Sequence, residues 1–157
     1  MGIKSLVHLG QPVITDDGRV VIYAIAHANL VAYRPYAIVP AINTEDLNGD
    51  GSADNDGKAI TAAIATQAAL RYKGAPQRAY AEGEVAEILV GGAGKLNVGA
   101  ATVAAENFLE VLNTATTAIN AGSNAAEAFA YACEGNGDAA KAINVQFLGV
   151  PSETKAT

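Results

Sequence analysis

The sequence predicts a mainly β protein: a small β-barrel or sandwich-like domain with one or two short helices and a long polar inserted loop. Three observations lead there. Residues 19–26 (RVVIYAIA) form an apolar run rich in Val, Ile and Tyr directly after the turn signal Asp16-Asp17-Gly18. From residue 82 to 148, short apolar bursts at 85–90, 108–112, 128–133 and 143–148 alternate with Gly-, Asn- and Ala-rich linkers. The chain has 157 residues, half of them hydrophobic, enough for a single domain with a sizeable core.

Each element follows in chain order. Residues 1–12 read either as an extended N-terminal arm or as an edge strand of the domain. Residues 30–42 (LVAYRPYAIVPAI) carry Pro35 and Pro40, which cannot donate to a ladder, so this run reads as an edge strand or two short strands. Residues 43–58 (NTEDLNGDGSADNDGK) form a polar loop, unusually long for a compact domain and read as an insertion. In 59–72, Ile60, Ile64, Ala68 and Tyr72 recur every four residues, which points to a helix ended by Gly74-Ala75-Pro76. After residue 82 the propensity of Ala would allow helices over 100–118 and 125–132. The close spacing of Gly91, Gly92, Gly94, Gly99, Gly122, Gly135 and Gly137 favours short strands joined by turns, with one helical turn at 103–107. Residues 150–157 read as a flexible tail.

Composition excludes several function classes. The net charge is −6 and the ten basic residues are scattered, so no patch for nucleic acid is expected. No run of about 18 apolar residues is present, so no membrane span is expected. The start MGIKSLVHLGQPVI has too short an apolar run for a secretory signal. A lone cysteine, Cys133, lies in the apolar run AFAYACE and reads as a buried small hydrophobe. His8 and His27 sit in apolar surroundings without a paired base and read as structural. The serines Ser5, Ser52, Ser123 and Ser152 occupy no nucleophile-elbow context. Gly91-Gly92-Ala93-Gly94 lacks a following Lys-Ser/Thr, and Asn97 stands where a third glycine of G-x-G-x-x-G belongs, so it reads as a tight turn. Glu82, Glu84 and Glu87 read as solvated-face carboxylates. No catalytic residues are assigned, no cofactor is required, and the expectation is that the chain is not an enzyme.

The sharpest local motif is DLNGDGSAD at 46–54, which matches the start of a calcium loop. Asp46, Asn48, Asp50 and Asp54 would supply side-chain oxygens and Ser52 its carbonyl oxygen, wrapped round a structural calcium ion by the turn at Gly51. At the twelfth position Gly57 replaces the usual bidentate Glu, and residues 35–42 do not read as the entering helix of an EF-hand. A solvated hairpin tip built of turn-forming residues is the competing reading.

The segment EGEVAEILVGGAGKLNVGA at 82–100 is similar to the "aGe-x-v-x-vlv-x-G-v" strand pair of small tailed-phage capsid decoration proteins. VAAENFLEV at 103–111 stands where that family carries "v-x-aGd-x-l-x-v". AEAFAYACEGNGDAAKAINVQFL at 126–148 resembles its closing "iGvAle-aaaGe-x-v-x-v-x-l" pair. Ala105-Glu106 replaces the usual Gly-Asp, and the 43–58 loop stands outside the family pattern. The resemblance implies a head decoration, or cement, protein. Such a protein sits on the outer surface of the virion, binds the major capsid protein of an assembled shell, and often forms trimers. It clamps shell neighbours without catalysing a reaction. Two other readings stay open: a self-assembling virion subunit of a shell, tube or fibre, and a calcium-dependent binding module.

Overall fold

A computed structural model describes residues 9–38, 58–61, 72–111, 116–122 and 125–151. Among the described residues, ten strands hydrogen-bond into one sheet: β1 (Pro12–Ile14), β2 (Val20–Ala26), β3 (Tyr36–Ile38), β4 (Lys58–Thr61), β5 (Tyr72–Pro76), β6 (Val85–Val98), β7 (Phe108–Glu110), β8 (Ile119–Asn120), β9 (Ala130–Ala132) and β10 (Lys141–Leu148). The order is β1-β2-β4-β3-β5-β6-β10-β9-β7-β8, with β2 also paired to β6. All pairings are antiparallel except β2–β4. The mainly β class is therefore the one observed. As a whole the sheet stays open, with β1 and β8 as its ends, and it folds over on itself in a sandwich-like way around two cores.

The extra β2–β6 pairing explains the two cores. Pairings run from β2 through β4, β3, β5 and β6 back to β2. Within this circuit alternate residues of each strand share one face. Ile22, Ala24 and Ala26 of β2, Tyr36 and Ile38 of β3, and Ala86, Ile88 and Val90 of β6 pack there with Leu30 and Tyr80. The second core gathers Leu96 and Val98 of β6, Ile143, Val145 and Phe147 of β10, Ala130 and Ala132 of β9, and Leu109 of β7. Val21, Ala75 and Leu89, on the opposite faces of their strands from the first core, complete it. A parallel bridge from Val98 to Ala118 ties the far end of this half back to β6.

β6 is the longest strand and belongs to both halves. Its first part pairs with β2, and residues 91–98 pair with β10. The change of partner falls at a β-bulge opposite Val20 and Val21, a device that bends and twists a strand. Gly91 and Gly92 stand there because nothing larger fits. A side chain at Gly91 would press on Val20, and Gly92 has φ +98°.

Several expectations are corrected. The Gly91-Gly92-Ala93-Gly94 run is strand interior, not a tight turn, because β10 pairs along all of it. The helix over 59–72 is not observed where the residues are described. Residues 58–61 form β4, held between β2 and β3, and Tyr72 opens β5. Sheet pairing here overrides the helical spacing of Ile60 and Tyr72. β3 is central rather than an edge, since it pairs with both β4 and β5. Pro35 precedes its first residue, so the missing N–H is not needed. Residues 103–107 form a turn with Glu106 at φ +71° in place of a helical turn. The helix among the described residues is a single 3-10 turn, Ala125–Glu127.

Cys133 and His27 are also corrected. Cys133 follows the last residue of β9 and is exposed, so its thiol is not part of the core. His27 lies in an exposed turn just past β2. His8, the asparagine- and aspartate-rich 43–58 loop up to residue 57, and the tail from 152 lie outside the described residues. The flanking β3 and β4 pair with Ile38 opposite Ala59, so the loop joins two antiparallel neighbours.

Candidate docking face

The outward face of β6, β10, β9 and β7 is the most distinctive surface of the described residues. Strand register lines up Ala93, Gln146, Tyr131 and Phe108 in one row across four strands. Lys95 and Asn144 form the adjacent pair. These side chains alternate with the buried ones that build the second core, so the core packing of Leu96, Val145 and Ala132 sets the outward positions of their neighbours. Phe108 is 40% exposed, and its ring meets Tyr131 edge-on at 5.5 Å and 68°. This arrangement suits the ring quadrupoles and holds both rings in place.

The exposed side chains of this face are uncharged apart from Lys95, and the buried Glu110 of β7 shares the side of the strand that carries Phe108. The exposed carboxylates Glu106, Glu134 and Asp138 lie in the turns before β7 and between β9 and β10. Two clips brace its margins, one from a side chain and one from the backbone. The Gln77 amide donates to the Lys95 carbonyl at 3.0 Å and accepts from the Lys95 N–H at 2.9 Å, replacing a strand neighbour. Tyr33, at φ +63°, donates its N–H to Pro76 at 2.7 Å and accepts from the Asn97 N–H at 2.7 Å. Those two bonds hold a backbone conformation that a bulky residue rarely adopts. The Lys95 ammonium lies 5.9 Å from the Tyr33 ring centre.

Beside this face, Gln77, Arg78, Tyr80 and Glu87 line an open groove of about 320 Å³. The Arg78 guanidinium stacks 3.8 Å from the Tyr80 ring centre. The Tyr23 hydroxyl donates to Glu87 Oε2 at 3.4 Å. Burial, and then the neighbouring Glu87 carboxylate, raise the Tyr23 pKa above the ordinary phenol value. At the β1–β2 turn, a hydrogen bond from the Thr15 hydroxyl, helped by Arg19, lowers the Asp17 pKa. Neither cluster combines a nucleophile with a base and an orienting group.

The sequence-based calcium ligands Asp46, Asn48, Asp50, Ser52 and Asp54 all lie outside the described residues. Among the described residues, no three His, Cys, Asp or Glu side chains gather closely enough to hold a metal ion. Among the described residues, no helix is long and apolar enough to cross a membrane. Glu82 and Glu84 are exposed, while Glu87 is half-buried under Tyr23. Sequence reading missed the aromatic pair, because Phe108 and Tyr131 meet only through strand pairing. It also missed Gln77, whose role needs the Lys95 backbone beside it.

No family model and no curated protein matches the chain. Among solved structures, it is similar to the N base of the head fibre gp8.5 of bacteriophage phi29. That likeness has 13% identity and a TM-score of 0.45, and it covers 87% of this chain and 98% of that one. At this score the likeness does not define a shared fold.

Proposed function

We propose that the chain is a virion structural protein of the decoration type. It binds the outer surface of an assembled shell and stabilises it without catalysing a reaction. One observation carries this reading. The three segments that resemble decoration proteins supply β6, β7, β9 and β10, the four strands that present the candidate face. The resemblance and the best candidate surface therefore fall on the same residues.

The chemistry of the face suits a protein partner. Interface cores are depleted in charge and enriched in aromatic residues, with polar groups at the rim. Here Phe108 and Tyr131 stand beside the amides of Gln146 and Asn144, and carboxylates lie in the surrounding turns. In a chain of net charge −6 this face approaches a shell without setting like charges together. The partner proposed for this face is the major capsid protein. Repeated over a symmetric lattice, a weak contact gains avidity if the chain is itself a closed trimer.

The test is mass spectrometry of purified virus particles from the source, scoring copies of this chain per copy of the main shell protein. A simple ratio supports the reading, and absence from particles overturns it. Rebinding of purified chain to stripped particles, with and without a calcium chelator, separates decoration from a calcium-dependent binding module. Open lattices or tubes formed by the purified chain alone would favour a self-assembling subunit.

A further inference from the structure

We propose that Asn136-Gly137 is a deamidation site gated by the fold, so that time spent unfolded is written irreversibly into the chain. In the folded state Asn136 is 1% exposed and its side-chain amide is fully engaged. Nδ2 donates to the carbonyl oxygens of Gly99 at 2.9 Å and Ala101 at 2.8 Å. Oδ1 accepts from the backbone N–H groups of Val103 and Asp138, each at 3.1 Å. Three of these bonds tie the β9–β10 turn to the 99–103 segment that follows β6, and the fourth, from Asp138, closes the turn on itself.

The chemistry needs the same amide to be free. The Gly137 backbone nitrogen attacks the Asn136 side-chain carbonyl carbon, forming a C–N bond in a five-membered imide. The bond from that carbon to Nδ2 breaks, and ammonia leaves with the backbone proton. Water then adds to one of the two imide carbonyls and opens the ring, giving aspartate or isoaspartate. No oxidant or reductant takes part. Glycine at 137 puts no side chain in the path of the attack. In the folded state the amide must first abandon its four partners and admit water, which couples the reaction to opening of the structure.

The product does not fit the site. A carboxylate donates no hydrogen bond, yet it would face the Gly99 and Ala101 carbonyl oxygens across the same short distances. The Val103 and Asp138 N–H groups still serve one oxygen, but the oxygen that replaces Nδ2 is buried against two acceptors, which is strongly disfavoured. Isoaspartate in addition lengthens the backbone within the turn, where Gly137 and Asp138 both have positive φ. A chain modified at residue 136 is thus excluded from refolding.

The test follows the full-length chain in native buffer and in urea at mildly alkaline pH, by peptide mapping that separates amide from acid at each asparagine. In urea, Asn136 is expected to deamidate at a rate close to that of Asn48, which also precedes glycine. In native buffer its loss is expected to be slower by about a hundredfold or more. Equal rates for Asn136 in the two conditions would overturn the gating. On dilution from urea, chains modified at 136 are expected to stay non-native while unmodified chains recover. Recovery of the modified chains, or a natively folded Asn136→Asp variant, would overturn the proposed block on refolding.

Discussion

Gly74 of β5 lies against the Leu89 carbonyl oxygen of β6 with no room for a methyl group between them. The two strands meet over a short ladder, Ala75 opposite Leu89 and Pro76 opposite Ile88. The close approach lets β5 reach β6 and complete the strand circuit round the first core. Gly74→Ala should cost about 2–3 kcal/mol, because backbone rather than a flexible side chain must move. Urea unfolding reads the loss. Gly122→Ala meets only open space, and its cost should be about 1 kcal/mol, from the positive φ alone.

Glu106→Gly should act in the opposite direction. Glu106 is exposed and held at φ +71° in the turn before β7. Glycine adopts this conformation freely, and its greater freedom in the unfolded chain offsets part of the gain. The net effect should be a stabilisation of about 0.5 kcal/mol, seen as a higher unfolding midpoint.

The Tyr23–Glu87 pair predicts an alkaline limit to stability. The folded chain holds the Tyr23 proton more tightly than the unfolded chain does. Stability linked to this group is fully present below the ordinary phenol pKa of about 10 and is lost as pH rises through the raised folded value. Glu87→Gln removes the carboxylate contribution and should move the Tyr23 titration back towards the ordinary value. Tyrosinate absorbance of the variant, compared with a Tyr23→Phe control, checks the direction.

Phe108→Ala separates docking from folding. The ring is partly exposed and its main described aromatic contact is Tyr131. The stability loss should be about 1 kcal/mol. Loss of shell binding should be larger, about 2 kcal/mol or some thirtyfold in affinity, if the ring is a central anchor. Binding to stripped particles and thermal unfolding, measured on one preparation, resolve the two effects.

Much of the sheet was legible because its strands carry their own signals. The β-branched run behind β2 and the apolar bursts behind β7, β9 and β10 form strands where they stand in the sequence. Where the reading failed, a partner distant in sequence decided the outcome. Glycines at 91–94 look like a turn until β10 lies beside them, and alanine-rich 59–61 looks helical until β2 and β3 flank it. Cys133 looks buried from its apolar neighbours, but the strand ends one residue earlier. The candidate face was hidden for the same reason, since its central row draws one residue from each of four strands.

The sharing of β6 also orders events during synthesis. β2 leaves the ribosome long before its partner β6, so Ile22 and Ala24 have no partner at Ile88 and Ala86 until the chain has grown past residue 88. The first core therefore cannot close as an early autonomous unit, and the second cannot close until β10 has been made. A nascent chain stalled before residue 98 carries an unfinished strand whose exposed edge is open to a neighbouring polysome's product.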